Sequence, residues 1–320
     1  MTRLEFAAPW WLRNAHLQTI YASVGAPAPA VRWRRERWDT PDGDFVDVDF
    51  VDGVAGAPWV HLYHGLEGSS NSSYARAIMG RVQRRGWNGS VFHFRGCSGE
   101  PNRLPRAYHS GDADEIDWSM RAIKQRAIRA RVFAAGISLG GNALAKWLGE
   151  TGPDAHNLVD AAAVISAPLD LMAAGDALGR GFALNYAKHF LETLKASSLA
   201  KLERHPGLYD AQTVRRSRTL REFDNVVTAP LHGFRDTDDY WTRASAKPLL
   251  ARIRIPTLVI NARDDPFLPE SALPTEHDVS DAVKLEFPAR GGHVGFVSGP
   301  FPGNLDWLPT RILHFFEHHE

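Results

Sequence analysis

Three segments far apart in the chain carry side chains that could perform acyl transfer. Gly136-Ile137-Ser138-Leu139-Gly140 has the G-x-S-x-G pattern of a nucleophile elbow, and it lies where a short apolar run gives way to a helical one. A turn this tight holds its serine in a strained backbone conformation, and the flanking glycines remove side chains that would collide with strand and helix. The Ser138 hydroxyl would stand clear of the chain at a helix N-terminus, where unpaired N–H groups favour developing negative charge. The N–H of Leu139 is then the first oxyanion donor. A Gly-Ser-Gly element is also an ordinary turn with a capping serine; the strand before it and the Gly141-Asn142-Ala143 helix opening after it favour the elbow.

A nucleophilic serine needs a base, and the base needs a carboxylate. Gly291-Gly292-His293-Val294-Gly295-Phe296 sets a histidine between glycines, which core filling explains poorly, so His293 is the expected general base. Ala262-Arg263-Asp264-Asp265-Pro266 offers the carboxylate. Asp265 is preferred because it opens an Asp-Pro turn with Pro269 four residues on. Asp264 is the alternative, because a one-residue shift is beyond sequence reasoning. His64-Gly65-Leu66-Glu67-Gly68 follows an early strand and supplies the second oxyanion donor, the N–H of Leu66. His64 itself is expected to fix that loop by hydrogen bonding. Arg95-Gly96-Cys97-Ser98-Gly99 should reach the same sheet edge as a structural loop, and Cys97 lacks an elbow that would make it a nucleophile. Such chemistry requires no metal or organic cofactor. No H-E-x-x-H spacing occurs among the fourteen histidines, and His314, His318 and His319 read as surface residues of a closing helix.

The elements that must position these groups are legible as periodicity. Residues 31–38 and 44–50 suit strands joined by the turn Thr40-Pro41-Asp42-Gly43, a hairpin. Strands at 59–63, 90–94, 132–135 and 159–165 then alternate with helices at 74–85, 112–128 and 139–148. That rhythm implies an α/β fold, a mostly parallel central sheet flanked by helices. It breaks between 168 and 247, where only amphipathic helical stretches appear, notably 182–202 and 219–226. It resumes with strands at 257–261 and 283–287 and a helix at 308–318. Residues 1–167 and 248–320 are therefore expected to form one core domain and 168–247 an inserted helical cap. Phe182, Tyr186, Phe190 and Leu194 have the spacing either to line an acyl pocket or to pack the cap itself.

Composition narrows the partners. The chain has 320 residues, with Lys plus Arg equal to Asp plus Glu at 37 each, so no excess basic field exists to gather nucleic acid. A single cysteine allows no intrachain disulfide, and neither a secretory leader nor a run of about 20 apolar residues is evident. A soluble, cytoplasmic protein acting on a small-molecule acyl ester, without an integral membrane anchor, is the expectation; its oligomeric state is not encoded legibly. Trp10, Trp11, Leu12 and Leu17 near Arg13 either pack on their own domain or touch a membrane surface.

With these residues in view, the chain resembles the α/β-hydrolase superfamily, and within it the YheT-like hydrolases. The resemblance spans nearly the whole length. It is carried by Pro9-Trp10-Trp11-Leu12-Arg13-Asn14, His16-Leu17-Gln18-Thr19, the His64–Gly68 segment with Ser72 and Tyr74, and Phe94-Arg95-Gly96-Cys97-Ser98-Gly99. The Ser138 elbow, residues 261–267 and the His293 loop complete it. The chain order Ser, Asp, His is the one that fold uses, and D-x-x-x-P its usual acid loop. The resemblance implies carboxylic-ester hydrolysis of the esterase or lipase-like kind, by Ser138, His293 and Asp265 with Leu66 and Leu139 as oxyanion donors. Acyl transfer by the same triad, or a catalytically silent binding protein, are the competing readings. Dehalogenase or epoxide-hydrolase chemistry would need an aspartate where Ser138 stands.

Overall fold

A computed structural model describes residues 5–319. The expected hairpin forms from β1 (Arg34–Asp39) and β2 (Phe45–Val51), and the turn between them closes as Thr40 N–H donates to Asp44 O and Gly43 N–H to Thr40 O, with Gly43 at φ +85°. Six further strands follow: β3 (Trp59–Tyr63), β4 (Asn88–Phe92), β5 (Val132–Ile137), β6 (Ala161–Ile165), β7 (Thr257–Ile260) and β8 (Val283–Glu286). They form one sheet in the order β1-β2-β4-β3-β5-β6-β7-β8. The β1–β2 and β2–β4 pairs are antiparallel and the other five are parallel. Because β3 lies between β4 and β5, the chain reverses its direction of travel across the sheet there. Loops leaving β3 and β5 therefore diverge and leave a crevice at the carboxyl ends of the strands, the usual ligand position in such sheets.

β5 and β6 are buried at every position, as parallel strands covered on both faces must be. The helices outside the β6–β7 interval are α1 (Ala15–Val24), α2 (Ser73–Arg84), α3 (Ala113–Arg126) and α4 (Leu139–Thr151) and, at the end of the chain, α11 (Trp307–His318). On one face Phe50, Tyr63 and Phe92 pack with Ile116, Met120 and Ile123 of α3 and Leu144, Trp147 and Leu148 of α4. On the other, Leu62, Val91 and Phe133 pack with Ile78, Met79 and Val82 of α2 and Ile312, Phe315 and Phe316 of α11. Phe133 and Phe316 stack at 4.6 Å. Each such side chain contributes roughly 1.5–3 kcal/mol on burial.

Several strand ends depart from the periodicity, β1 beginning at Arg34, β4 at Asn88 and β6 at Ala161, and two departures have physical reasons that bear on the site. β5 does not stop before Gly136 but runs through it to Ile137. That glycine is where α4 crosses the strand: a Cβ there would lie 2.5 Å from the Gly140 carbonyl oxygen. β4 ends at Phe92, two residues early, because its ladder with β3 closes at Tyr63 opposite Phe92, and the chain then diverges toward the crevice.

Between β6 and β7 no strand occurs. Six helices fill the interval: α5 (Leu171–Leu178), α6 (Leu184–Arg204), α7 (Ala211–Arg216), α8 (Leu220–Val226), α9 (Thr228–Leu231) and α10 (Thr237–Ala244). Side chains of Asp170, Asp210, Thr219 and Asp236 accept a backbone N–H at the starts of α5, α7, α8 and α10. Small clusters of their own, such as Leu191, Val214, Phe223 and Val227, hold these helices together. Among the described residues no helix is long and apolar enough to cross a membrane.

Candidate active site

Ser138 caps α4 in the conformation φ +51°, ψ −119°, a region a β-carbon makes costly. Its N–H donates to Ile165 O at 2.8 Å, tying the turn to β6. The glycines of the elbow are required by contact. A Cβ on Gly140 would sit 2.5 Å from His64 O and 2.7 Å from Tyr63 O, so only glycine lets α4 begin directly against the end of β3.

The three expected catalytic side chains come together in line. His293 Nε2 lies 3.0 Å from Ser138 Oγ, and His293 Nδ1 lies 2.9 Å from Asp265 Oδ2 and 3.2 Å from Oδ1. Asp265 also accepts the Phe267 N–H at 2.8 Å, and its side chain is wholly buried. Phe267 stacks flat on the imidazole at 3.9 Å, which leaves the ring little freedom to tilt. With Nδ1–H donating to Asp265, Nε2 is left to accept from the serine hydroxyl. Asp264 does not reach the ring. Its Oδ1 accepts the Gly292 N–H at 3.0 Å, shaping the histidine loop from behind, and burial raises its pKa.

Leu66 and Leu139 both line the cavity beside Ser138. In the 64–68 loop, Gly65 N–H donates to Tyr74 Oη at 3.0 Å, Glu67 N–H to Tyr108 Oη at 2.9 Å and Gly68 N–H to Gly65 O at 2.9 Å. Among the described residues the Leu66 and Leu139 N–H groups have no acceptor. The loop thus binds its other donors and leaves one available, as an oxyanion hole needs. His64 is fixed as a neutral ring: Nδ1 bonds Gly65 O at 2.7 Å while Nε2 accepts Phe94 N–H at 3.1 Å. Burial pushes its pKa down to about 3. It braces the loop and is bonded on both nitrogens. The Cys97 thiol borders the cavity, but burial raises its pKa, opposing the thiolate a nucleophile requires.

Several groups that hold the site were not read from the sequence. His293 N–H donates to Thr19 Oγ1 at 2.9 Å, and Val294 N–H to Ser166 Oγ at 3.2 Å. Gln18, fully buried in α1, accepts Val297 N–H and donates to Val297 O and Leu12 O. The signal available for Gln18 and Thr19 was two polar residues on the side of α1 opposite its apolar stripe. Tyr108 gave none.

A cavity of about 540 Å³ extends from Ser138 and His293 under α5, α6 and α8. Leu171, Leu178, Phe190, Leu194, Leu220 and Phe267 give it apolar walls. The four residues with pocket spacing therefore divide, the first of them, Phe182, lying in a short turn before α6, which begins at Leu184 and not at 182. Phe190 and Leu194 face the cavity, whereas Phe182 is exposed against His16, and Tyr186 packs between His16 and Phe267. The stripe spans more than one surface because α1 covers its first turn. In the closing helix His318 and His319 are exposed as expected, but His314 is half-buried.

The profile of the alpha/beta hydrolase fold family matches residues 58–300. YheT of Escherichia coli (strain K12), named as a candidate esterase, is 40% identical over 316 residues, spanning 96% of this chain and 92% of its own. Mouse phospholipase ABHD3 is 31% identical over 318 residues, 96% of this chain and 77% of its own. Among solved structures, the Pyrococcus furiosus esterase Pf2001 superposes with a TM-score of 0.58 at 16% identity, covering 92% of this chain and 97% of that one, a likeness of fold alone.

Proposed function

Since the chain belongs to the α/β-hydrolase family and, within it, to the YheT-like hydrolases, we propose that it is a carboxylic-ester hydrolase working through an acyl-enzyme on Ser138. The observation that carries this reading is the unbroken series from Asp265 to His293 to Ser138, at 2.9 and 3.0 Å, on the wall of an apolar cavity.

His293 Nε2 takes the hydroxyl proton as Ser138 Oγ attacks the acyl carbonyl carbon, and Asp265 stabilises the imidazolium. The carbonyl oxygen, now carrying the charge, is met by the N–H groups of Leu66 and Leu139. Each such donor is typically worth about 2.7–4 kcal/mol because it acts on charge absent from the ground state. Collapse expels the alcohol, which receives the proton from His293, and leaves an acyl ester on Ser138. Water then attacks, giving its proton to the same nitrogen, and the acid departs with the serine restored. Residues 168–247 serve as the cap, and its apolar wall takes the acyl chain while limiting water. The names of the relatives, a candidate esterase and a phospholipase, support ester cleavage as the class of reaction.

A fluorophosphonate probe and nitrophenyl esters of increasing chain length test this. Wild-type protein should label and turn over esters, Ser138→Ala should do neither, and His293→Ala should lose about 10³-fold or more in kcat. Labelling that survives Ser138→Ala would refute the nucleophile. Labelling without ester turnover would turn the reading toward acyl transfer or binding.

A further inference from the structure

Helix α1 is amphipathic in the inverted sense. Its buried residues include the polar Gln18 and Thr19, whereas Leu17, Ile20 and Val24, at i, i+3 and i+7, are exposed, Val24 by 82%. A surface helix ordinarily turns such a stripe to the core. Here the inward face is occupied by the hydrogen bonds of Thr19 and Gln18 to the His293 loop, so the apolar stripe points out.

Other apolar side chains extend the patch. Trp10, 81% exposed, stands just before the helix; Phe301, 75% exposed, meets Trp11 at 5.4 Å; and the exposed Phe182 meets His16 at 4.4 Å. Of the eight large apolar side chains that are exposed among the described residues, six lie around α1, and only Val54 and Ile128 lie elsewhere in the chain. Scattered exposure needs no account, but this concentration does.

The charges of the same surface are equally one-sided. The whole chain balances 37 cations with 37 anions, yet residues 6–31, which carry α1, contain no aspartate or glutamate, and the segments that touch them, 177–191 and 287–305, have carboxylates only at their borders, at Asp176, Glu192, Glu286 and Asp306. They contribute Arg13, Arg180 and Arg290, all exposed, and among the described residues none of the three is within ion-pair distance of a carboxylate. Arg290 Nη1 donates to Arg13 O, which joins two of the segments directly.

We propose that this face is a peripheral docking surface for an anionic lipid bilayer, from which the enzyme draws its ester. This rests on the ester-hydrolase reading and gives that substrate a physical source. Tryptophan with an apolar helical stripe fits the boundary between headgroups and acyl chains, and a rim of unpaired arginines fits lipid phosphates. A second copy of the chain is a poorer occupant. A two-fold interface would press the same arginines against their own copies. The surface also lies close to the chemistry, since Tyr186 bridges His16 to Phe267, the ring stacked on His293.

The test uses full-length protein with vesicles of phosphatidylcholine alone and with 30% phosphatidylglycerol, read by co-sedimentation, alongside turnover of dissolved nitrophenyl acetate. Wild type should bind the anionic vesicles at least tenfold more tightly than the neutral ones. Leu17→Asp with Ile20→Asp, and separately Arg13→Glu with Arg180→Glu, should each weaken anionic-vesicle binding at least tenfold with acetate turnover unchanged. Failure of the wild type to bind, or binding indifferent to both pairs of changes, overturns the proposal. So does a wild-type dimer in light scattering that both pairs dissociate. Absence of acetate turnover in the wild type would instead overturn the hydrolase reading, while the sedimentation result would still decide the docking face.

Discussion

Replacing Tyr108 by phenylalanine should cut kcat roughly 10- to 30-fold and leave KM within about twofold. The hydroxyl closes a small circuit on the oxyanion loop, accepting Glu67 N–H at 2.9 Å and donating to Glu67 Oε1 at 2.7 Å. Glu67 is held at φ +53°, a left-handed conformation costing about 1–2 kcal/mol for a residue with a β-carbon. A hydrogen bond to a charged carboxylate contributes about 1.5–3 kcal/mol and the second bond about 1, enough to hold that strain. Without the hydroxyl the balance reverses, Glu67 relaxes, and the adjoining Leu66 N–H loses its fixed direction. If half of a donor worth about 2.7–4 kcal/mol is lost, the barrier rises by about 1.4–2 kcal/mol, which is roughly 10- to 30-fold. KM is spared because the donor acts on charge formed in the transition state. The ring stacks on Phe94 at 5.4 Å, a contact phenylalanine keeps, so packing does not confound the result. Steady-state kinetics on nitrophenyl butyrate would measure it, and affinity for a tetrahedral boronic acid should fall by a similar factor. A folded Tyr108→Phe enzyme within threefold of wild-type kcat, or a loss confined to KM, would refute the argument.

The two neighbouring aspartates should separate cleanly. Asp265→Asn, which disturbs the proton on His293 Nδ1, is expected to lose about 10³–10⁴-fold in kcat, whereas Asp264→Asn keeps an acceptor for Gly292 N–H and should lose less than tenfold. Stability should fall toward acid pH. Burial pushes both His61 and His64 down to about 3, while in the unfolded chain each takes up its proton near the ordinary 6.5. Between those values the unfolded state binds more protons, so lowering the pH from 7 to 5 removes roughly 2 kcal/mol per histidine. Urea unfolding at the two pH values would show this, and His61→Gln should recover about one histidine's share; an unchanged difference would count against it.

Much of this arrangement was legible because it is local. Ile78, Met79 and Val82 repeat at helical spacing because one face of α2 is buried, and the runs in β5 and β6 are uniformly apolar because both faces are covered. The elbow was legible for a related reason. Gly136 and Gly140 stand where strand, turn and helix leave no room for a β-carbon, which would lie 2.5 Å from a carbonyl oxygen at either position, so a backbone requirement is written directly in the residue type. His293 could be singled out because the glycines around it answer to the same kind of crowding: a Cβ on Gly292 would lie 2.5 Å from Ala15 O. Asp265 was separated from Asp264 by its turn and by Pro269, and the geometry behind the choice is that only Asp265 reaches the imidazole.

What sequence could not supply are partnerships fixed by tertiary closure. Tyr108 meets the oxyanion loop 41 residues away and Thr19 meets His293 at a separation of 274, and neither pairing leaves a period or a turn signature. The α6 stripe shows the same limit from another side. Phe182, Tyr186, Phe190 and Leu194 share one spacing, yet the first two meet α1 and the last two the cavity, because Phe182 lies in the turn before the helix and a helix of 21 residues outruns any single neighbour. The depth of the acyl site is thus set where α6 leaves α1 and passes over Ser138, a property of how the chain folds back on itself. The same folding back joins the two ends of the site: α1 spends its polar face on the histidine loop and so must present Leu17, Ile20 and Val24 to whatever lies outside.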